Sequence, residues 1–393
     1  MTISRRGFVG GFATALGYLG LGSDIDVWAQ TRGRGGQAGP MPGERRASVE
    51  EYDTLAKLAN NENPYGPPES VMKAMTQAFK YANRYGYPDG GIVQALAAHH
   101  GVKPENIMLG AGSGEILDIV GSAFLEGGKK VVGVEPSYGS VYQHATGIKA
   151  DAIKLALLKD YRQDIPAMIK ATKTHYRDVG FVYMCNPNNP TGIIVTKQEI
   201  KQLLDGIPED MPVLIDEAYH HFVDDPNYAT SVPYVIEGRP VVIARTFSKI
   251  AALAGMRLGY AVAPAELLQK MRPFGTGTIN AIVKWGGVAA LQDTAAQAKV
   301  KQVTIELRKK TASDLQALGY EVLPSEANFF MVHIGRQVQP VIEEFRKHGV
   351  LVGRPFPPML EHLRVSVGTA EEMTRFTTAF KQIFPAAKPS AAI

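Results

Sequence analysis

Residues 245–260 read RTFSKIAALAGMRLGY. A single lysine, Lys249, stands among small and apolar residues, with the hydroxyls of Ser248 and Thr246 one and three places before it and Arg257 eight places after. The run PVVIART, residues 240–246, leads into it, so the lysine falls just past the end of a buried strand. An amine held there among alanines and glycines loses hydration, which lowers its pKa and leaves a neutral nucleophile able to attack an aldehyde. The two hydroxyls and the planar fork of Arg257 are donors suited to a phosphate.

That strand is one of a series. NIMLGAG (106–112), KKVVGVE (129–135), DAIKLAL (151–157), GFVYMC (180–185) and PVLIDEA (212–218) are short apolar or β-branched runs separated by helix-like segments. The alternation predicts an α/β fold, a mostly parallel sheet between helices. Chemistry in such a sheet collects in loops at the carboxyl ends of the strands. A long helical pattern near residues 294–318 leads away from it. NFFMVHI (328–334) and LRVSVGT (363–369) then flank VIEEFRKHGV (341–350), which predicts a smaller α+β domain at the C-terminus.

The chain has 393 residues, 45% hydrophobic and 20% charged, enough for two or three domains with sizeable cores. Its lone cysteine, Cys185, excludes an internal disulfide, a cysteine-rich zinc cluster and a CxxC redox site, and no metal site is expected. The net charge is +4, of which residues 30–46 carry +3 and residues 1–29 carry none, so the body is nearly neutral. A nucleic-acid partner is not expected, because phosphate backbones require a concentrated basic face. No apolar run after residue 29 is long enough to predict a membrane span.

Ser4-Arg5-Arg6-Gly7-Phe8-Val9 and the glycine-rich apolar run that follows resemble a bacterial twin-arginine export signal, ending at Val27-Trp28-Ala29. The expectation is a signal over residues 1–29, a flexible linker over 30–46 and a periplasmic or otherwise exported mature protein.

GAGSGEI, residues 110–116, places glycines between a strand and a helix, where exposed N–H groups bind a phosphate or simply make a tight turn. CNPNNPTG, residues 185–192, is a proline-fixed turn from which asparagine amides project. Asp216 and Tyr219 of DEAY follow another strand, in a spacing that also suits a helix cap. A lysine for an aldehyde and a donor set for a phosphate together describe pyridoxal phosphate.

NENPYG, YPDG, NNPTG, DEAY, RTFSK…AGMRLGY and LRVSVG occur here in order over roughly residues 55–385. In that order they resemble the class I/II, fold-type I aminotransferases, most nearly the histidinol-phosphate aminotransferases. The resemblance implies that Lys249 bears the cofactor and moves the substrate proton. Asp216 would pair with the ring nitrogen, Asn189 and Tyr219 would bond the ring's phenolic oxygen, and Tyr138 would stack on the ring. The backbone of Ser113, Gly114 and Glu115, with Thr246, Ser248 and Arg257, would hold the phosphate. Tyr87, or Tyr85 in its place, would reach the phosphate of a neighbouring subunit, which implies a homodimer with shared sites. Arg364 would grip the substrate carboxylate, and Asn61 and Tyr65 would line the substrate entrance. His220 and His221 are expected to be packing or solvated residues.

The implied organisation is an N-terminal arm (47–66) joining the small domain, a pyridoxal-phosphate-binding large domain (67–293), the small domain (294–386) and a disordered tail (387–393). The implied activity moves an amino group from an L-amino acid or related amine to a 2-oxo acid. A decarboxylase or carbon–sulfur lyase on the same fold is the alternative. Two departures bear on the substrate: Ala59 stands where these enzymes usually carry an asparagine, and Gly353 delays Arg354 by one place.

Overall fold

The structure, a computed structural model, describes residues 49–384. The expected signal, linker and C-terminal tail lie outside these residues. In chain order the strands are β1 Ala56–Leu58, β2 Ile107–Gly110, β3 Lys130–Glu135, β4 Asp151–Ala156, β5 Val179–Cys185, β6 Val213–Asp216, β7 Val241–Thr246, β8 Gly259–Val262, β9 Phe329–His333, β10 Val350–Val352 and β11 His362–Ser366.

Each of the apolar runs read as a strand of the main domain joins one seven-stranded sheet, ordered β2-β8-β7-β6-β5-β3-β4. Pairings from β7 through β4 are parallel. β8 runs antiparallel to β2 and β7. No apolar run marks it in the sequence: its four residues begin at the very end of the lysine segment and give too little periodicity to stand out. β5 and β7 are buried at every position, as strands covered on both faces must be. Val182, Met184, Ile215 and Ile243 pack into the core on one face, and Phe181, Tyr183, Leu214 and Ala244 into the core on the other. The Val, Ile, Leu, Met and Phe side chains among them contribute about 1.5–3 kcal/mol each on burial.

Strand register sets the site. Cys185 is opposite Asp216, and Asp216 is opposite Ala244, so β5, β6 and β7 end nearly level. Gly259 of β8 pairs with both Thr246 and Gly110, which brings the glycine turn after β2 beside the lysine loop after β7.

Asp293 accepts from the Ala296 N–H and starts the 24-residue helix Thr294–Ala317. Beyond it, β9 and β11 pair antiparallel, and β1 pairs in parallel with β10. Ala56 and Leu58 of β1 thus share a core with Phe330, Phe345, Phe376 and Phe380. The segment after β1 is thereby anchored to the same body that carries β11. Among the described residues no helix is long and apolar enough to cross a membrane.

Candidate active site

The helix Ser113–Phe124 starts directly after the turn Gly110-Ala111-Gly112. Its first N–H groups have no intrahelical acceptor. Arg257 closes over them, donating from Nη2 to the Ala111 carbonyl at 2.8 Å and from Nη1 to the Ala254 carbonyl at 3.0 Å. This approach requires glycine twice. A Cβ on Gly112, whose φ is +86°, would stand 2.3 Å from Arg257 Nη2, and a Cβ on Gly259 would stand 2.4 Å from Ser113 N. Thr246 Oγ1 donates to Ser248 Oγ at 2.8 Å and accepts from the Ser248 N–H at 3.0 Å, which fixes both hydroxyls. Helix N–H groups, two hydroxyls and a guanidinium form a cup of donors matched to a phosphate.

The Glu115 side chain has a part that the sequence did not reveal. Its carboxylate accepts from the Ala111 N–H at 2.5 Å and from the N–H and hydroxyl of Thr276 at 3.2 and 2.7 Å. It thus braces the turn while its backbone N–H stays available to the cup.

Lys249 donates to the Asn60 carbonyl at 3.3 Å, and its Nζ lies 5.5 Å from the centre of the Tyr219 ring. Burial and the Arg364 guanidinium bring its ammonium down to about 8, against the pull of Glu62 and Asp216. Asp216, the last residue of β6, is only 2% exposed. Burial raises its carboxyl to about 7, partly offset by the Ala218 N–H and by Lys249. A carboxylate so costly to ionise alone suits a cationic partner.

The asparagine-rich turn divides its labour. Asn186 bonds the N–H and carbonyl of Val195, and Asn188 ties Ser137 and Pro136 to the turn. Asn189 turns toward the site, giving Nδ2 to the Tyr219 hydroxyl at 3.3 Å and taking Arg364 Nη1 on Oδ1 at 2.8 Å. Arg364 also donates from Nη2 to the Ala59 carbonyl at 2.6 Å. Its Nε is buried with no hydrogen-bond partner, and burial lowers its pKa to about 10. An arginine left so incompletely paired is matched to an anion from outside.

Asn61 does not line an entrance: it is 1% exposed and bonds Tyr219, Ser366 and Asn328. Tyr65 is exposed. Tyr138 precedes the helix Ser140–Gly147 and accepts on its carbonyl from the Tyr183 hydroxyl. Tyr87 gives its hydroxyl proton to the Ile279 carbonyl at 2.7 Å, whereas Tyr85 is fully exposed. His220 and His221 pack with ring centres 3.7 Å apart and planes tilted by 35°, and burial keeps both well below the usual imidazole range. Glu217 of the DEAY segment, assigned no part from sequence, forms a buried ion pair with Arg245 at 2.6 Å.

These residues fit pyridoxal phosphate. The cup is closed by glycines where any Cβ would intrude, Asp216 is a buried carboxylate suited to a protonated ring nitrogen, and Lys249 is depressed toward its nucleophilic form. Sheet, cup and lysine together define a fold-type I pyridoxal-phosphate enzyme.

Comparison with known proteins agrees. Residues 53–380 match the family described as aminotransferase class I and II, and the chain belongs to that family. It is 36% identical over 339 residues to a histidinol-phosphate aminotransferase of Moorella thermoacetica, covering 84% of this chain and 85% of the relative. It is 34% identical to histidinol-phosphate aminotransferase 2 of Carboxydothermus hydrogenoformans, covering 87% and 96%. The crystal structure of histidinol-phosphate aminotransferase from Sinorhizobium meliloti in complex with pyridoxal-5'-phosphate superposes with a TM-score of 0.78 at 25% identity, covering 86% of this chain and 95% of that one. The protein is a pyridoxal-phosphate-dependent aminotransferase.

Proposed function

We propose that this aminotransferase takes histidinol phosphate, or a closely similar amine with an anionic tail, as amino donor, and that it works as an exported homodimer. The observation that carries the substrate reading is Arg364, a buried guanidinium whose Nε has no partner. Arg364 and Arg354 both stack on Phe356, at 4.6 and 4.3 Å from the ring centre, so two cations converge near the anion's place. The departure at Ala59 leaves Arg364 supported, because the contact uses the Ala59 carbonyl and not its side chain. The names of the relatives favour the same donor.

Bound pyridoxal phosphate supplies an aldehyde for amino groups and a ring that withdraws electrons from the adjacent carbon. The chain's residues then divide the work. Lys249 would bear the cofactor and, when free, would hold and move the proton at the substrate's reacting carbon. Asp216 would pair with the ring nitrogen and keep it protonated. Tyr219 and Asn189 would donate toward the phenolic oxygen, Tyr138 would cover the ring, and the cup with Arg257 would hold the phosphate. Arg364 fixes the substrate anion so that the bond to be broken stands in one orientation.

Tyr87 or Tyr85 is assigned to reach the second subunit's cup. The homodimer rests on the family resemblance of the YPDG segment that carries Tyr87. Export rests on the twin-arginine segment, since a route for folded proteins lets a cytosolic cofactor be loaded before crossing. The domain limits proposed from sequence, with an arm over 47–66 and the small domain from 294, go with this reading.

The test is a donor screen that follows conversion of bound cofactor to its amino form. Histidinol phosphate should convert it fastest. If aromatic amino acids convert it and histidinol phosphate does not, the substrate reading falls.

A further inference from the structure

Asn61 is a buried, non-glycine residue with φ +55°, a conformation that favours glycine. Each of its polar groups has a partner. Its N–H donates to Ser366 Oγ at 2.8 Å, Ser366 Oγ donates to its Oδ1 at 2.9 Å, Asn328 Nδ2 donates to its carbonyl at 3.0 Å, and its own Nδ2 donates to the Tyr219 hydroxyl at 3.1 Å.

The orientation of the Asn189 amide beside Tyr219 follows from its other partner. Arg364 can only donate, so the atom of Asn189 that faces it is Oδ1, and Nδ2 faces Tyr219. Ser366 Oγ, which accepts the Asn61 N–H, lies 2.9 Å from Asn61 Oδ1, and in this arrangement Asn61 presents Nδ2 to Tyr219 at 3.1 Å. The Tyr219 oxygen therefore receives two amide donors, and a hydroxyl has only two lone pairs. Its proton has to be given elsewhere.

We infer that Asn61, held by Ser366, is a positioning residue that makes Tyr219 an obligate donor. The circuit also closes on the substrate arginine, because Arg364 and Ser366 lie two residues apart on β11. One strand thus sets the anion-binding side chain and, through Asn61, the direction of the tyrosine proton. The left-handed backbone at Asn61 is what aims the amide inward, and asparagine tolerates that conformation better than most residues.

This inference rests on the reading of Tyr219 as a donor to the cofactor's phenolic oxygen. Such a donor stabilises negative charge there and so lowers the pH midpoint of the bound cofactor's visible absorbance. The experiment is a spectroscopic pH titration of holoenzyme variants. Asn61→Gly keeps the left-handed backbone and removes only the amide, and it should raise the midpoint by about 0.5–1 unit, the scale of one hydrogen bond. Ser366→Ala, which leaves the backbone untouched, should raise it in the same direction. The double variant should shift no further than Asn61→Gly alone, since both act through one atom.

Tyr219→Phe is the control. If it leaves the midpoint unmoved, the reading of Tyr219 itself fails. If it moves the midpoint while Asn61→Gly and Ser366→Ala do not, or if those two add independently, the positioning role of Asn61 is overturned.

Discussion

Arg364 on β11 donates from Nη1 to Asn189 Oδ1, 2.8 Å away, and so joins the body carrying β9–β11 to the turn after β5 inside the active site. A substrate anion that engages Arg364 therefore also bears on a residue assigned to the cofactor. The bond is made in a buried setting, where charged donors count for more than at a surface.

Removing the guanidinium with Arg364→Met should leave the cofactor bound and lower kcat/KM by roughly 100-fold or more, the cost of about 3 kcal/mol for a buried ionic contact. Steady-state kinetics with a saturating acceptor checks this. A loss of less than a few-fold would remove Arg364 from the substrate's side of the site.

Lys249 titrates at about 8 in the cofactor-free protein because burial and Arg364 both oppose its charge. Capture of pyridoxal phosphate by cofactor-free enzyme should accelerate with pH and level off above that midpoint, where the amine is neutral. Arg364→Met removes one of the three depressing influences, the others being burial and Arg257, so its midpoint should move upward. The folded state binds the Lys249 proton less tightly than the unfolded chain does, so this residue's contribution to stability should increase between about pH 8 and 10.5.

Asp216 behaves oppositely. Its carboxyl is raised to about 7, so the folded cofactor-free protein holds the proton more tightly than the unfolded chain. The resulting stabilisation is full below about pH 4 and is lost as pH rises through 7. Asp216→Asn should thus make the cofactor-free protein more stable than the parent at pH 8, by on the order of a few kcal/mol, while weakening cofactor binding. Urea denaturation at pH 5 and pH 8, with and without cofactor, measures both signs.

Gly259→Ala places a methyl 2.4 Å from Ser113 N and from the Gly112 carbonyl carbon, both backbone atoms that cannot swing aside. The turn must shift, and cofactor affinity should fall at least about 10-fold, the loss of one or two hydrogen bonds. Fluorescence titration of the cofactor-free variant reads this directly. Gly114→Ala, where a Cβ meets no atom within 4 Å, should change affinity far less.

Much of this was legible in the sequence because the parallel strands are buried on both faces and read as unbroken apolar runs. β5 and β7 show it most clearly. The short strand β8 overlaps the end of the lysine segment, and its direction depends on a pairing with β2 that lies far away in sequence. Asn61 was placed at the entrance because ANNENPYG gives no sign of which asparagine turns inward. The positive φ that decides it follows from contacts with Ser366 and Asn328, remote along the chain. The side chain of Glu115 was overlooked for the same reason, since Thr276 is a distant partner. Glu217 sits between two residues of the site, yet strand alternation sends it to the opposite face, where it pairs with Arg245.

The central claim is that Lys249 carries the cofactor, and the most direct measurement is borohydride reduction of the holoenzyme followed by peptide mass mapping. Reduction should bleach the visible band and leave one pyridoxyl group per chain on the peptide containing Lys249. A label on any other lysine, or a chromophore that leaves the protein unlabelled after reduction, would contradict the account.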